Sequence, residues 1–288
     1  MKAVYKHELT MYIHDFRTYI FAAFLLLFTG LGALTYNINS SVANFEYVLG
    51  YISIVLVIIV PLLTMKIVSE ERKQKTEQLL FSLPLSTSDI ILGKFLSLVT
   101  VFLIPVLVIF IYPLIFKNYG DVYLPASYGA LVAFCFLAVS LLSIGMFISC
   151  LTESQGMAAG ITTAIMLFLY FSGTLADFVS SSVTGSVIGL AIVIILLAFI
   201  VRALTKSSIA ALAAAVVFTL ALVISVLTSS STFDGLLPNI MNNLSPFERF
   251  YTFVNGIFDL TAIIYFISIT VFFLFLCIQS LENRRYNG

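Results

Sequence analysis

The sequence predicts an all-α, polytopic membrane protein with about eight transmembrane helices and both termini on the cytoplasmic side. Three observations carry that expectation. Of 288 residues, 61% are hydrophobic and only 10% are charged, against roughly 25% charged in an average soluble domain, so a water-soluble fold could not cover its surface. Apolar runs recur that are long enough to cross about 30 Å of hydrocarbon at 1.5 Å rise per residue. The basic residues, finally, divide unevenly between the two sides that those runs define. Alternating barrel-type segments are absent, and lipid accepts only helices or closed barrels because backbone polar groups must be satisfied internally.

In order, the spans are expected at 19–36, 47–68, 90–116, 127–150, 157–178, 184–203, 208–228 and 258–281. With an even count the connections 69–89, 151–156 and 204–207 and the two termini share a side. Lys2, Lys6, Arg17, Lys66, Arg72, Lys73, Lys75, Lys94, Arg202, Lys206, Arg284 and Arg285 fall there, and only Lys117 and Arg249 fall opposite. This is the asymmetry that positive-inside insertion produces. No small-residue cleavage site follows the first run, so that span is expected to be retained. Spans six and seven, separated by a turn at Leu204–Ser207, read either as two crossings or as a hairpin.

Within the spans, Pro61, Pro105 and Pro113 remove backbone donors and are read as packing kinks rather than gating hinges. The pairs Gly156/Gly160 and Gly185/Gly189 predict close helix contact. Tyr36, Tyr47, Tyr51, Tyr112, Tyr119, Tyr123 and Tyr128 gather at outer span ends, as interfacial anchors do. Cys135, Cys150 and Cys277 lie in apolar runs without paired spacing and read as small core residues. A single domain, 1–288, is expected, with non-spanning pieces at 1–18, 69–89 and 229–257.

Each of those pieces has a helical signature. In the first, Tyr5, Leu9, Tyr12 and Phe16 recur at helical spacing while Lys2, Lys6, Glu8 and Asp15 take other faces. Lying flat at the inner leaflet, such a helix would bury its aromatic stripe in acyl chains and leave its charges in water; a plain solvated lead-in is the other reading. The inner loop opens on Glu70, Glu71, Arg72 and Lys73, presents Leu79, Leu80 and Leu83 as an apolar edge, and stops at Pro84. A capping box at Ser86 and Asp89 then restarts a helix whose first two turns hold Gly93 and Lys94. Taken alone, this pattern suits a solvated loop and a docking element equally. In the last piece, Ser245, Pro246 and Glu248 occupy the N-cap, first and third positions of a further helix, with Phe247, Phe250, Tyr251 and Val254 on one face.

The order of glutamates and arginine, Thr76-Glu77, Leu79-Leu80, Pro84 and Gly93-Lys94 between spans two and three resembles the ABC-2 class of ATP-binding-cassette permeases. The resemblance implies that 69–89 is a coupling helix in which Glu70, Glu71, Arg72, Thr76, Glu77, Leu79, Leu80 and Pro84 couple to a separate ATPase. Lys75 stands where that family usually has glycine. The start around Glu8, Leu9, Phe16 and Arg17 looks like the family's elbow helix, and the helix at Ser245 like an external helix resting on or dipping into the outer leaflet. The family commonly has six spans, so spans six and seven look like an insertion. What the resemblance implies is an exporter permease in a bacterial plasma membrane. It would pair with itself or a related permease and with cytoplasmic ATPase subunits, which would bind ATP and magnesium.

The chain has no phosphate loop of its own: Gly93-Lys94 lacks the upstream glycine and a following hydroxyl. No cofactor, catalytic residue or metal site is therefore expected here, and His7 and His14 read as surface histidines. Few buried charges are expected in the spans, which favours an apolar or amphipathic cargo. Two alternatives are an ion-coupled secondary transporter, which calls for inverted repeats, broken helices and paired intramembrane carboxylates, and a membrane-embedded enzyme with His, Glu, Asp or Ser clustered at one depth. Asp177 and Asp259 lie near the outer ends of spans five and eight, where each can reach water, which argues against a proton relay.

Overall fold

Asp15 ends one helix and starts the next. Its backbone is extended, and its side chain accepts the N–H of Arg17 at 3.1 Å, an N-cap that a continuous helix would not need. The first piece is therefore α1 (Lys2–His14), and the first span starts at α2 (Phe16–Gly32), prolonged by a wider-wound stretch to Asn39. The computed structural model describes residues 1–74, 76, 86–178 and 236–287, and every element among them is helical.

The second span is broken. The helices α3 (Glu46–Ser53) and α4 (Leu56–Thr64) meet at a 56° bend. Pro61 sits within α4, and the tighter three-residue bonds Val57 N–H to Ile54 and Ile58 N–H to Val55 lie one turn before it. A proline obstructs the carbonyl four residues earlier, so the bend falls upstream of the proline itself. The short α5 (Ser69–Lys73) follows. The third span comprises α6 (Thr87–Ile109), uninterrupted at Pro105, and α7 (Tyr112–Lys117), whose first turn holds Pro113 without cost. The helices α8 (Leu124–Leu151), α9 (Gln155–Phe178), α10 (Leu236–Leu244), α11 (Pro246–Val254) and α12 (Leu260–Asn287) complete the series.

Among the described residues, five helices are long and apolar enough to cross a membrane, or six if the bent pair is one span. These coincide with expected spans one to five and eight. Spans six and seven, with Gly185, Gly189, Arg202 and Lys206, lie outside the described residues.

The chain divides into two compact units, Met1–Tyr170 with Arg249–Gly288, and Phe171–Glu248. In the first, α8 is the central helix: 72% of its apolar window is buried, against 17% for α12. It packs on α12, α4, α3 and α6. A line of buried rings runs through this unit, Phe21 to Phe102 at 6.2 Å, Phe102 to Phe134 at 6.3 Å and Phe134 to Phe250 at 6.0 Å. At Gly145 α8 lies tight against α4: an added Cβ would stand 2.5 Å from Oγ1 of Thr64.

Three expectations need correction. Around Gly156 and Gly160, no other described segment comes within 4 Å of an added Cβ, so the predicted close contact is not made with any described helix; among the described helices Gly145 makes such a contact. The apolar face of α11 is not laid on lipid. Phe247, Phe250 and Val254 are buried, Val254 lies against Gly50, and Tyr251 Oη lies 3.4 Å from Ser53 Oγ. Nor does α1 keep all its charges in water, because Glu8 is buried. In both helices the aromatic stripe had a second possible neighbour, the rest of the bundle, and sequence periodicity does not distinguish protein from lipid as the apolar partner.

Candidate functional site

At the end of α4 the chain is held by α8. Ser149 Oγ accepts the N–H groups of Val68 and Ser69, each at 3.3 Å, and Ser69 Oγ donates back to the Met65 carbonyl. This fixes the start of α5, so its next three residues leave the helix axis about 100° apart. Glu71 and Arg72 reach other elements, while Glu70 pairs one turn back along its own stretch. Glu70 lies 3.7 Å from Lys66 Nζ, which also bonds Asp15 Oδ2 at 3.1 Å. Glu71 Oε1 accepts from Lys94 Nζ at 2.7 Å. Arg72 donates to Glu153 at 2.5 Å and to the Leu151 carbonyl at 3.2 Å.

Lys94 is the centre of this arrangement. It sits eight residues past the Ser86 cap, where Ser86 Oγ accepts the Asp89 N–H at 3.2 Å and donates to Asp89 Oδ2 at 2.8 Å. That depth places its ammonium inside the protein, and the side chain is only 2% exposed. An unpaired charge there would cost several kcal/mol, on the order of the desolvation penalty of a buried ion. All three ammonium donors are accordingly used: Glu8 Oε1 at 2.6 Å, Glu71 Oε1 at 2.7 Å and the Ile67 carbonyl at 3.2 Å. Gly93 lets α1 approach: a Cβ there would meet Val4 Cβ at 3.1 Å and the Met1 carbonyl at 3.2 Å. Tyr5 Oη adds a contact to Thr100 Oγ1 at 3.2 Å.

The ion pairs are unequal. Glu153 is 73% exposed, and an exposed pair contributes about 0–1 kcal/mol. Breaking a buried pair by removing one partner costs about 3–5 kcal/mol, which describes Lys94 better. The fields agree. Burial, then Glu8, Asp15, Glu71 and Glu70, push the Tyr12 hydroxyl far above its ordinary value. Burial would raise the Asp15 carboxyl, but the Arg17 amide and Lys66 outweigh it and hold it below its ordinary value.

Of the expected coupling residues, Glu70, Glu71 and Arg72 thus gather where α1, α4, α6 and α8 meet. Thr76 closes the segment, its N–H and hydroxyl both directed at the Glu71 carbonyl at 3.0 and 3.3 Å. Glu77, Leu79, Leu80 and Pro84 lie outside the described residues. The residues expected to open the external helix belong to α11. Ser245 Oγ accepts the Glu248 N–H at 3.3 Å at the start of α11, with Pro246 in its first turn. The Glu248 carboxyl lies against Gly173, where an added Cβ would collide with it. Burial and the nearby Asp177 charge raise its pKa.

Sequence reading missed Glu8 and Lys94 as a pair. A signal existed: Lys94 stands between Ile90-Ile91 and Phe95, two turns inside a capped helix, and a charge so placed needs a partner. Which carboxylates supply it depends on elements 86 and 23 residues away. Glu46, 1% exposed and accepting from Ser127 Oγ at 3.2 Å, was missed too.

A family model described as ABC-2 family transporter protein matches residues 28–188. That stretch contains Glu71, Lys94 and Glu153 but not Glu8. A comparison with curated proteins finds no match.

Proposed function

The chain belongs to the ABC-2 family of transporter proteins, and from that premise we propose that it is the permease subunit of an ATP-driven exporter, working with separate cytoplasmic ATPase subunits and a second permease. As a family member it is a multi-pass membrane component of an ABC transporter. The finer reading rests on one observation. Of the charged residues that open the segment 69–89, Glu71 and Arg72 are bonded to two different neighbouring elements, and Glu70 pairs with Lys66 one turn back, which in turn holds Asp15. A solvated loop has no need of such rooting, whereas a segment that relays force does, because displacement reaches the spans only through stiff contacts. In this reading Glu70, Glu71 and Arg72 root the segment, and Thr76, Glu77, Leu79, Leu80 and Pro84 meet the ATPase. Nucleotide-driven closure of the ATPases would tilt spans two and three and alternate access along the interface between permeases. ATP and magnesium would bind only in the partner, and the membrane would be a bacterial plasma membrane.

Co-purification with a phosphate-loop ATPase tests this. The wild-type chain is expected to bring down the ATPase, and Glu77→Lys to lose it while inserting normally. An unchanged yield of complex with Glu77→Lys, or export without any nucleotide-hydrolysing partner, would refute the coupling assignment.

A further inference from the structure

Two carboxylates from remote parts of the chain share one buried ammonium, and each belongs to a different helix. Glu71 is on α5, at the root of the segment assigned to coupling; Glu8 is on α1; Lys94 is at the start of the third span. The third ammonium donor holds the Ile67 carbonyl, at the end of the second span. One side chain therefore ties its own helix to Glu8, Glu71 and the Ile67 carbonyl. Its ammonium is buried, so these contacts are screened by salt less than an exposed pair would be. The Arg72 pair, by contrast, is open to water on its Glu153 side.

We propose that Lys94 is a positioning residue of the coupling site, which makes α1, α5 and the start of α6 a single mechanical body. The N-terminal helix is then a working part of the lever rather than a passive anchor. When the segment after Thr76 is displaced, the exposed Arg72–Glu153 contact gives first. The Lys94 contacts give last, because releasing either carboxylate leaves a buried charge without its partner. Gly93 serves the same end, seating Val4 directly on α6 with no side chain between them. The proposal rests on the reading of 69–89 as the coupling segment, but its mechanical half can be tested without an ATPase.

In the full chain with Cys135, Cys150 and Cys277 replaced by serine, spin labels at Thr10→Cys on α1 and Gln74→Cys after α5, both exposed positions, report the distance between the two helices in lipid nanodiscs. One narrow distance population is expected. Lys94→Met should broaden it, Lys94→Arg should restore it, and Glu153→Gln should leave it narrow. A broad population in the parent, or a narrow one in Lys94→Met, overturns the proposal. If Lys94→Met does not fold, Glu8→Gln serves instead: it keeps the Lys94–Glu71 pair and should broaden the distance by freeing α1 alone, and a narrow population there overturns the proposal equally. A second arm uses the complex with the co-purifying ATPase. Lys94→Met should lower kcat for ATP by about tenfold with KM unchanged, the pattern of a contact used only in turnover, and Lys94→Arg should recover it. Broadened distances with wild-type turnover would reduce Lys94 to an anchor and overturn its positioning role. Should no ATPase bind even the parent chain, the coupling reading falls, while the distance measurements still decide whether Lys94 makes one body.

Discussion

Adding one methyl group at Gly145 tests the packing of the second span against the fourth. The Cβ of Gly145→Ala would lie 2.5 Å from Thr64 Oγ1, 2.9 Å from its Cγ2 and 3.0 Å from its Cβ, where favourable contact begins at about 3.5 Å. Thr64 cannot swing aside. It is β-branched on a helix, fully buried, and its hydroxyl donates to the Val60 carbonyl at 2.8 Å. The helices must therefore separate by some tenths of an ångström, and overpacking of this kind costs about 1–3 kcal/mol. A 2.5 Å approach to a locked side chain puts the cost in the upper part of that range, about 2–3 kcal/mol, and alanine returns about 1 kcal/mol over glycine in a helix, so the net loss is about 1–2 kcal/mol. At about 2–4 °C per kcal/mol for a chain of this size, Tm should fall by about 2–8 °C. Far-UV circular dichroism and size exclusion after heating, on protein in nanodiscs, would read this. Gly160→Ala, open to space, is the control and should be neutral or slightly stabilising. Adding Thr64→Ala to Gly145→Ala should recover most of the loss, since two of the three clashing atoms disappear. A Gly145→Ala protein as stable as the parent, or a double variant no better than the single, would refute the contact.

Ser245→Ala removes the N-cap of α11 and should cost about 1 kcal/mol, seen as earlier proteolysis near Asn243 in a limited digest and a small fall in Tm. Asp15→Asn should flatten the acid limb of stability. Because the native carboxyl titrates below its ordinary value near 3.8, its contribution is complete above that value and is lost as pH falls through the lower native one. Melting curves from pH 6 down to pH 3 would show the wild type losing stability faster than the variant at the acid end. In the cysteine-free chain, Gln74→Cys and Asp121→Cys, both exposed, should react with a membrane-impermeant maleimide from opposite faces, Asp121→Cys from outside. Labelling of both from one face would overturn the expected orientation.

The class of this protein was legible in composition, because a chain with 10% charge has no means of covering a globule in water. Helix starts were legible as well. Ser86 with Asp89, and Ser245 with Pro246, act through side-chain bonds to backbone three residues away, and such local chemistry survives whatever the tertiary context. Family membership was readable in the segment 69–89 for a related reason: motifs are strings. The partners of the charges were not readable. Glu8 looked like one more polar-face residue and Lys94 like a helix-end lysine, and only the seating of α1 on Gly93 brings their side chains to 2.6 Å. The apolar face of α11 was likewise visible in sequence, but its partner was decided by Phe134 and Gly50. In lipid an apolar surface is equally content against acyl chains or protein. Hydrophobic pattern therefore locates helices without pairing them, and pairing is left to shape and to buried charge, which exist only once distant segments have met.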